Sequence, residues 1–258
     1  MALKITVLGS GASFGTPVVS CHCPVCKSDN PRNRRLRPSI LVETASHQLL
    51  IDCGPDFRRQ ALRAGIERLD AVFLTHNHAD HLCGVDDLRI FNYRTHKAVD
   101  VYCNKLVEDT LRRSHPYFFE DGLYESGANV MPMLNVITFE EPVEFGQLRV
   151  TPVPVLHGQL PILGFRFNDF AYITDCKTIS PESLKLLEGL DVLILNALRL
   201  KPHSVHLNLH EALELAAQLR PRQTFLTHMT HEIEHEAVNA SLPDNCSLAY
   251  DGQLIELA

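Results

Sequence analysis

The stretch Thr75-His76-Asn77-His78-Ala79-Asp80-His81 constrains the fold more than any other part of the chain. It sets three imidazoles and a carboxylate within six residues, directly after the apolar run Ala71-Val72-Phe73-Leu74. Side chains crowded in this way repel one another or stay unpaired unless a cation sits among them. Neutral imidazoles and carboxylates suit Zn²⁺, Mn²⁺ or Fe²⁺, and the HxHxDH spacing lets His76 and His78 face one ion while Asp80 and His81 serve a second close by. The fold must therefore end a buried strand at a place open enough to gather further ligands.

Other strand-like runs end in the same manner: Thr174-Asp175, Leu156-His157 and Thr227-His228 all close apolar stretches. Sheet-based enzymes gather their sites at strand ends. Taken singly, each residue has a plainer reading: His157 fits a turn, Asp175 a helix cap, His228 a paired core imidazole. Ten strands are expected, over 3–8, 39–43, 48–52, 71–75, 99–103, 147–155, 171–174, 192–195, 224–227 and 253–257, with helices over 55–64, 105–113, 181–187 and 209–219. Strands and helices alternate, the pattern of an α/β protein. With 258 residues and no linker-like tract, one domain over 1–258 is expected.

Apolar residues make up 45% and charged residues 21%, a balance that excludes extended disorder. The start, MALKITVLGSGAS, lacks a signal peptide's apolar block, and no run reaches membrane-spanning length, so a cytoplasmic protein without membrane attachment is expected. A net charge of −7 argues against broad attraction to nucleic acid. One local exception is the run Arg32, Arg34, Arg35 and Arg37, read either as a solvated loop or as a phosphate-facing patch.

Eight cysteines include a cluster, Cys21-His22-Cys23-Pro24-Val25-Cys26, whose CxCxxC spacing offers three thiolates to a tetrahedral zinc. A fourth ligand is not evident nearby, since His22 is too constrained by its neighbours. The remaining cysteines are scattered singly, which suits a reducing compartment.

His76-x-His78-x-Asp80-His81, followed by His157, Asp175 and His228, resembles the metallo-β-lactamase superfamily, and Asp52 in LLIDCG resembles its early structural aspartate. The resemblance implies a four-layer αββα sandwich of two mixed β-sheets flanked by helices. It further implies His76, His78 and His157 on one metal, Asp80, His81 and His228 on the other, and Asp175 bridging. The CxCxxC loop, an insertion around 20–38, is similar to that of the PhnP-type phosphodiesterase subfamily, whose fourth zinc ligand corresponds to His231. The same subfamily places a general acid at the position of His206, with His203 as rival, and it suggests a homodimer. Asp80 and His206 are thus the catalytic candidates, and two active-site divalent ions (Zn or Mn) plus one structural zinc are the implied cofactors.

With Asp175 rather than Cys as bridge, two divalent ions less two carboxylates and one hydroxide leave roughly +1 of formal charge, which favours a monoanionic phosphodiester. The expected reaction is hydrolysis of a small or cyclic phosphodiester, of nucleotide or sugar type, by metal-bound hydroxide. Alternatives are a tRNase Z-like nuclease, which would make nucleic acid the partner, a thiolester hydrolase, and a catalytically idle zinc-binding scaffold.

Overall fold

The computed structural model describes residues 2–119 and 133–257. Two seven-stranded sheets form its centre. The first runs in the order β14 (Leu254–Leu257), β1 (Leu3–Gly9), β2 (Ser39–Glu43), β3 (Gln48–Ile51), β4 (Ala71–Phe73), β5 (Val99–Cys103), β6 (Leu134–Thr138). The second runs β13 (Cys246–Leu248), β12 (Gln223–Thr227), β11 (Val192–Asn196), β10 (Phe170–Ile173), β9 (Leu160–Phe167), β8 (Leu148–His157), β7 (Val143–Phe145). Each is mixed: β3 to β6 and β10 to β13 pair in parallel, and the remaining neighbours are antiparallel. The two sheets thus repeat one arrangement, although the amino-acid sequence carries no visible repeat.

Burial follows from strand alternation. Ile5, Val42, Ile51 and Phe73 of the first sheet meet Val150, Phe165, Tyr172 and Ile194 of the second in one buried cluster between the sheets. Residues of opposite parity face outward onto helices. On the first sheet these are α1 (Phe57–Ala64), α3 (Arg89–Thr95) and α4 (Lys105–Ser114), which contribute Phe57, Phe91, Val107 and Leu111 to a second cluster. On the second sheet α6 (Leu209–Leu219) and α7 (His235–Asn239) contribute Ala212 and Val238 to the cluster of Leu193, Leu195 and Leu226, which Leu187 joins just after α5 (Pro181–Lys185). The layers are helix, sheet, sheet, helix, as the resemblance implies.

All ten expected strands and all four expected helices are present, with ends shifted by a few residues. The strand expected over 147–155 continues as β8 to His157, so that imidazole closes a strand rather than sitting in a turn. Four strands were not expected, and β9 shows why. Its Pro161 and Gly164 read as breakers, yet Gly164 sits in a close-packed position of the sheet, where a Cβ would come within 2.3 Å of Ile173 Cδ1 and 3.1 Å of the Tyr172 carbonyl oxygen on the neighbouring strand. The short helix α2 (Ala79–Leu82) begins inside the histidine motif and turns Asp80 and His81 back toward the strand ends.

Candidate metal centre

The polar residues that end β8 or follow β3, β4, β10 and β12 converge at one edge of the sandwich. His81 Nε2 lies 3.1 Å from Asp175 Oδ2 and 3.4 Å from Asp80 Oδ2. His228 Nε2 lies 3.0 Å from Asp175 Oδ1 and 3.7 Å from Asp80 Oδ2. The rings of His76, His78 and His157 stand 4.5 to 5.8 Å apart, with His78 at the exposed rim. All seven side chains named from the sequence are therefore brought together, and Asp175 lies centrally, one oxygen toward His81 and the other toward His228. Asp175 caps no helix, since α5 is capped by Ser180, and His228 is paired with a carboxylate that is itself part of the cluster.

Three of the imidazoles are held at Nδ1, so that each presents Nε2 to the cluster. Asp52, the buried residue after β3, accepts from His81 Nδ1 at 2.7 Å. It also accepts from the Thr75 amide at 2.8 Å and from the Thr75 hydroxyl. That hydroxyl, its single proton given to Asp52, accepts from His76 Nδ1 at 2.9 Å. His157 Nδ1 donates to the carbonyl of Val205 at 2.8 Å. Carbonyl and carboxylate partners of this kind fix the tautomer of a ligating histidine.

His76 Nε2, Asp80 Oδ2, His81 Nε2 and both ring nitrogens of His228 are buried without a hydrogen-bond partner. Orphaned polar atoms are rare in folded interiors, and four of these, one each from His76, Asp80, His81 and His228, belong to groups whose ligand atoms lie within 4.8 Å of one another, as a pair of divalent cations would require. Electrostatics agrees. Burial opposes the charge of Asp175, yet His228 and His81 together hold its carboxyl well below the usual range. Burial likewise disfavours a charged His81, yet Asp175 and Asp52 outweigh it and keep its pKa well above normal. Two carboxylates that demand cationic partners in a dry site are suited to metal.

His206 is also buried in this cluster: its Nδ1 is 3.7 Å from Asp175 Oδ1, and its ring is 4.4 Å from that of His157. Burial and then His228 push its pKa down to about 3. His203 stands 5.1 Å from the His206 ring, half-buried, its Nδ1 accepting from Val205 N at 3.3 Å. His206 is thus the nearer of the two to Asp175.

Sequence reasoning missed two features. Asp52, Asp175 and His228 all have left-handed backbones, with φ of 60°, 55° and 57°, a conformation that non-glycine residues adopt at a penalty and that clusters at functional sites. Asn196, at the end of β11, accepts from the amide of Cys176 next to Asp175. No spacing rule marks either feature, although a buried Asn closing a run of Val, Leu and Ile is a usable signal.

The CxCxxC loop meets its expected partner. Cys21, Cys23 and Cys26 Sγ lie 3.2, 3.5 and 3.3 Å from His231 Nδ1. Backbone amides donate to sulfur, from Cys26 N to Cys23 and from Val18 N to Cys26. The first of these bonds, opposed by burial, brings the Cys23 thiol down to about 6, whereas burial pushes Cys26 up to about 11. His22 points to solvent. Ala12 N donates to Met229 O and Met229 N to Ser10 O, each at 3.0 Å, which ties the loop's start to the residue after His228.

The arginine run fits neither of its expected readings as a whole. Arg35 is fully buried, donating to Thr230 O at 3.1 Å and Ile233 O at 2.9 Å, on either side of His231. Arg37 pairs with Asp56 at 3.2 Å and Arg32 with Glu236 at 3.4 Å. Arg35 and Arg37 are turned to protein acceptors and help anchor the cysteine loop, whereas Arg32 and Arg34 are exposed, as the solvated reading expects.

The β-lactamase superfamily domain matches residues 47–229, which is most of the chain. The chain belongs to the metallo-β-lactamase superfamily. Within it, the PhnP type is supported by a crystal structure described as a new diphosphatase from the PhnP family, 40% identical, covering 100% of this chain and 98% of that one with a TM-score of 0.92. The anti-Pycsar protein Apyc1 of Paenibacillus harenae is 30% identical over 90% of this chain and 92% of its own length. A protein named octanoyltransferase from Porphyromonas gingivalis (strain ATCC BAA-308 / W83) is 38% identical over 97% of this chain. The chain spans about half the length of that superfamily relative, 51%. No helix among the described residues is long and apolar enough to cross a membrane.

Proposed function

We propose that the chain is a dinuclear metal-dependent hydrolase of a small or cyclic phosphodiester. The observation that carries this reading is the placement of Asp175, whose two oxygens face His81 and His228 at 3.1 and 3.0 Å. A carboxylate so placed can bridge two cations, with His76, His78 and His157 on one side and Asp80, His81 and His228 on the other. Divalent ions bound there, Zn²⁺ or Mn²⁺, supply Lewis acidity toward a phosphoryl oxygen and acidify a water molecule. Cys21, Cys23, Cys26 and His231 would hold a third, structural zinc.

The chain's own groups do the rest. Asp80 and Asp175 lower the positive charge of the centre to a level that suits a monoanionic ester. His206 lies beside Asp175 and offers a ring N–H to the departing oxygen, and a phosphate anion seated against it raises its pKa from the low value that burial imposes. None of the eight cysteines is paired in a disulfide, in keeping with a cytoplasmic setting. Full-length similarity to a PhnP-family diphosphatase supports a phosphoric linkage as target.

The test is a panel of phosphodiesters, diphosphates, thiolesters and β-lactams assayed on metal-quantified protein. Preferential turnover of diesters is expected. Preference for a thiolester would transfer the site to acyl chemistry, and turnover of none would leave a scaffold.

A further inference from the structure

Cys176, the residue after Asp175, is held at both of its backbone polar groups. Its N–H donates to Asn196 Oδ1 at 3.0 Å, and its carbonyl accepts from Leu207 N, next to His206, at 2.9 Å. Because a backbone N–H only donates, the atom facing it is the carbonyl oxygen of the Asn196 amide. The nitrogen of that amide is buried and has no partner. Asn196 is fully buried at the end of β11, after four apolar residues. An apolar side chain there would leave the buried Cys176 N–H without its acceptor, so Asn196 serves that peptide even though its own amide nitrogen stays unpaired.

We propose that Asn196 is a positioning residue for the metal centre. It fixes the peptide that follows Asp175 and so keeps that residue in its left-handed backbone, φ 55°. Thr174 Oγ1 holds one carboxylate oxygen directly at 2.7 Å, but the direction in which the carboxylate leaves the chain is set by the backbone. Through the carbonyl of Cys176 the same anchor sets the spacing of Asp175 and His206, 3.7 Å between Oδ1 and Nδ1. The inference rests on Asp175 being a metal ligand, as proposed above.

The experiment measures the affinity of Mn²⁺ and of Zn²⁺, each alone, by competition with a chromogenic chelator. Wild-type protein is compared with Asn196→Ala, Asn196→Ser and Thr224→Val. Serine is too short to reach the Cys176 amide, and Thr224 is an equally buried residue of the adjacent β12, near the end of that strand opposite to His228. Both Asn196 variants should unfold cooperatively and keep the zinc of the cysteine site. They should bind the active-site ions about 10 to 100-fold more weakly, the loss typical when an outer partner of a metal ligand is removed. Thr224→Val should change thermal stability at most. Wild-type ion affinity in either folded Asn196 variant would overturn the proposal even if its melting temperature fell, and so would failure of both to fold. Wild-type protein that binds ions only at the cysteine site would instead sink the metal reading, a result distinct from two tightly held ions in every variant.

Discussion

Asp52 Oδ2 sits 2.7 Å from His81 Nδ1 and thereby turns the other nitrogen of that ring toward Asp80 and Asp175. Asp52→Asn would keep the shape of this contact but present N–H where an acceptor is needed, or force the proton onto His81 Nε2, the nitrogen that faces the cluster. Metal affinity and diester turnover should fall together by about 10 to 100-fold. Elemental analysis with a turnover assay checks this, and a variant with full metal content and activity would show that Asp52 does not set the tautomer.

The cysteine loop and the loop of His228 are joined by His231, by the Met229 backbone bonds and by buried Arg35. Replacing Cys23 by Ser should remove about one zinc per chain and lower the melting temperature, with diester turnover reduced but not abolished. Unchanged zinc stoichiometry would remove the staple.

Much of this centre is legible in the chain because its ligands are tied to strand ends: an apolar run followed by His or Asp marks the position, and HxHxDH marks the turn that follows. The tetrad Cys21, Cys23, Cys26 and His231 spans more than two hundred residues, so local spacing shows only its first three members, and similarity to a subfamily supplied the fourth. Arg35 was not legible, since a guanidinium in a run of four arginines looks solvated until its carbonyl partners are placed. Strand β9 hid behind Pro161 and Gly164. The left-handed backbones of Asp52, Asp175 and His228 have no signature at all, because their penalty is met by tertiary contacts.

His235 N donates to Asn33 Oδ1, while its ring is buried against Tyr250. Burial, and then Arg35, push its pKa down to about 4, against about 6.5 in an unfolded chain. The native state therefore favours the neutral ring: its contribution is fully present above about pH 6.5 and is lost as pH falls toward 4, by about 3 kcal/mol at most. His235→Phe should flatten this part of the pH dependence of thermal unfolding. An identical decline in wild type and variant would show that other groups cause it.

Nitrophenolate, the anion of an acid with a pKa of about 7, departs without a proton, whereas an alkoxide needs one. If His206 donates it, His206→Ala should slow alkyl or cyclic ribosyl diesters by about 10²- to 10⁴-fold and bis-nitrophenyl phosphate much less. Equal losses on both would point to a binding or metal role, and no loss on either would move the assignment to His203.

Whether Asp175 joins two cations is decided by counting metal in Asp175→Ala while measuring its turnover of bis-nitrophenyl phosphate. Each ion forfeits a ligand in that variant and their mutual repulsion loses its shield. Both active-site ions and the activity should disappear together, while the fold and the zinc of the cysteine site remain. Full activity with two bound ions would contradict it.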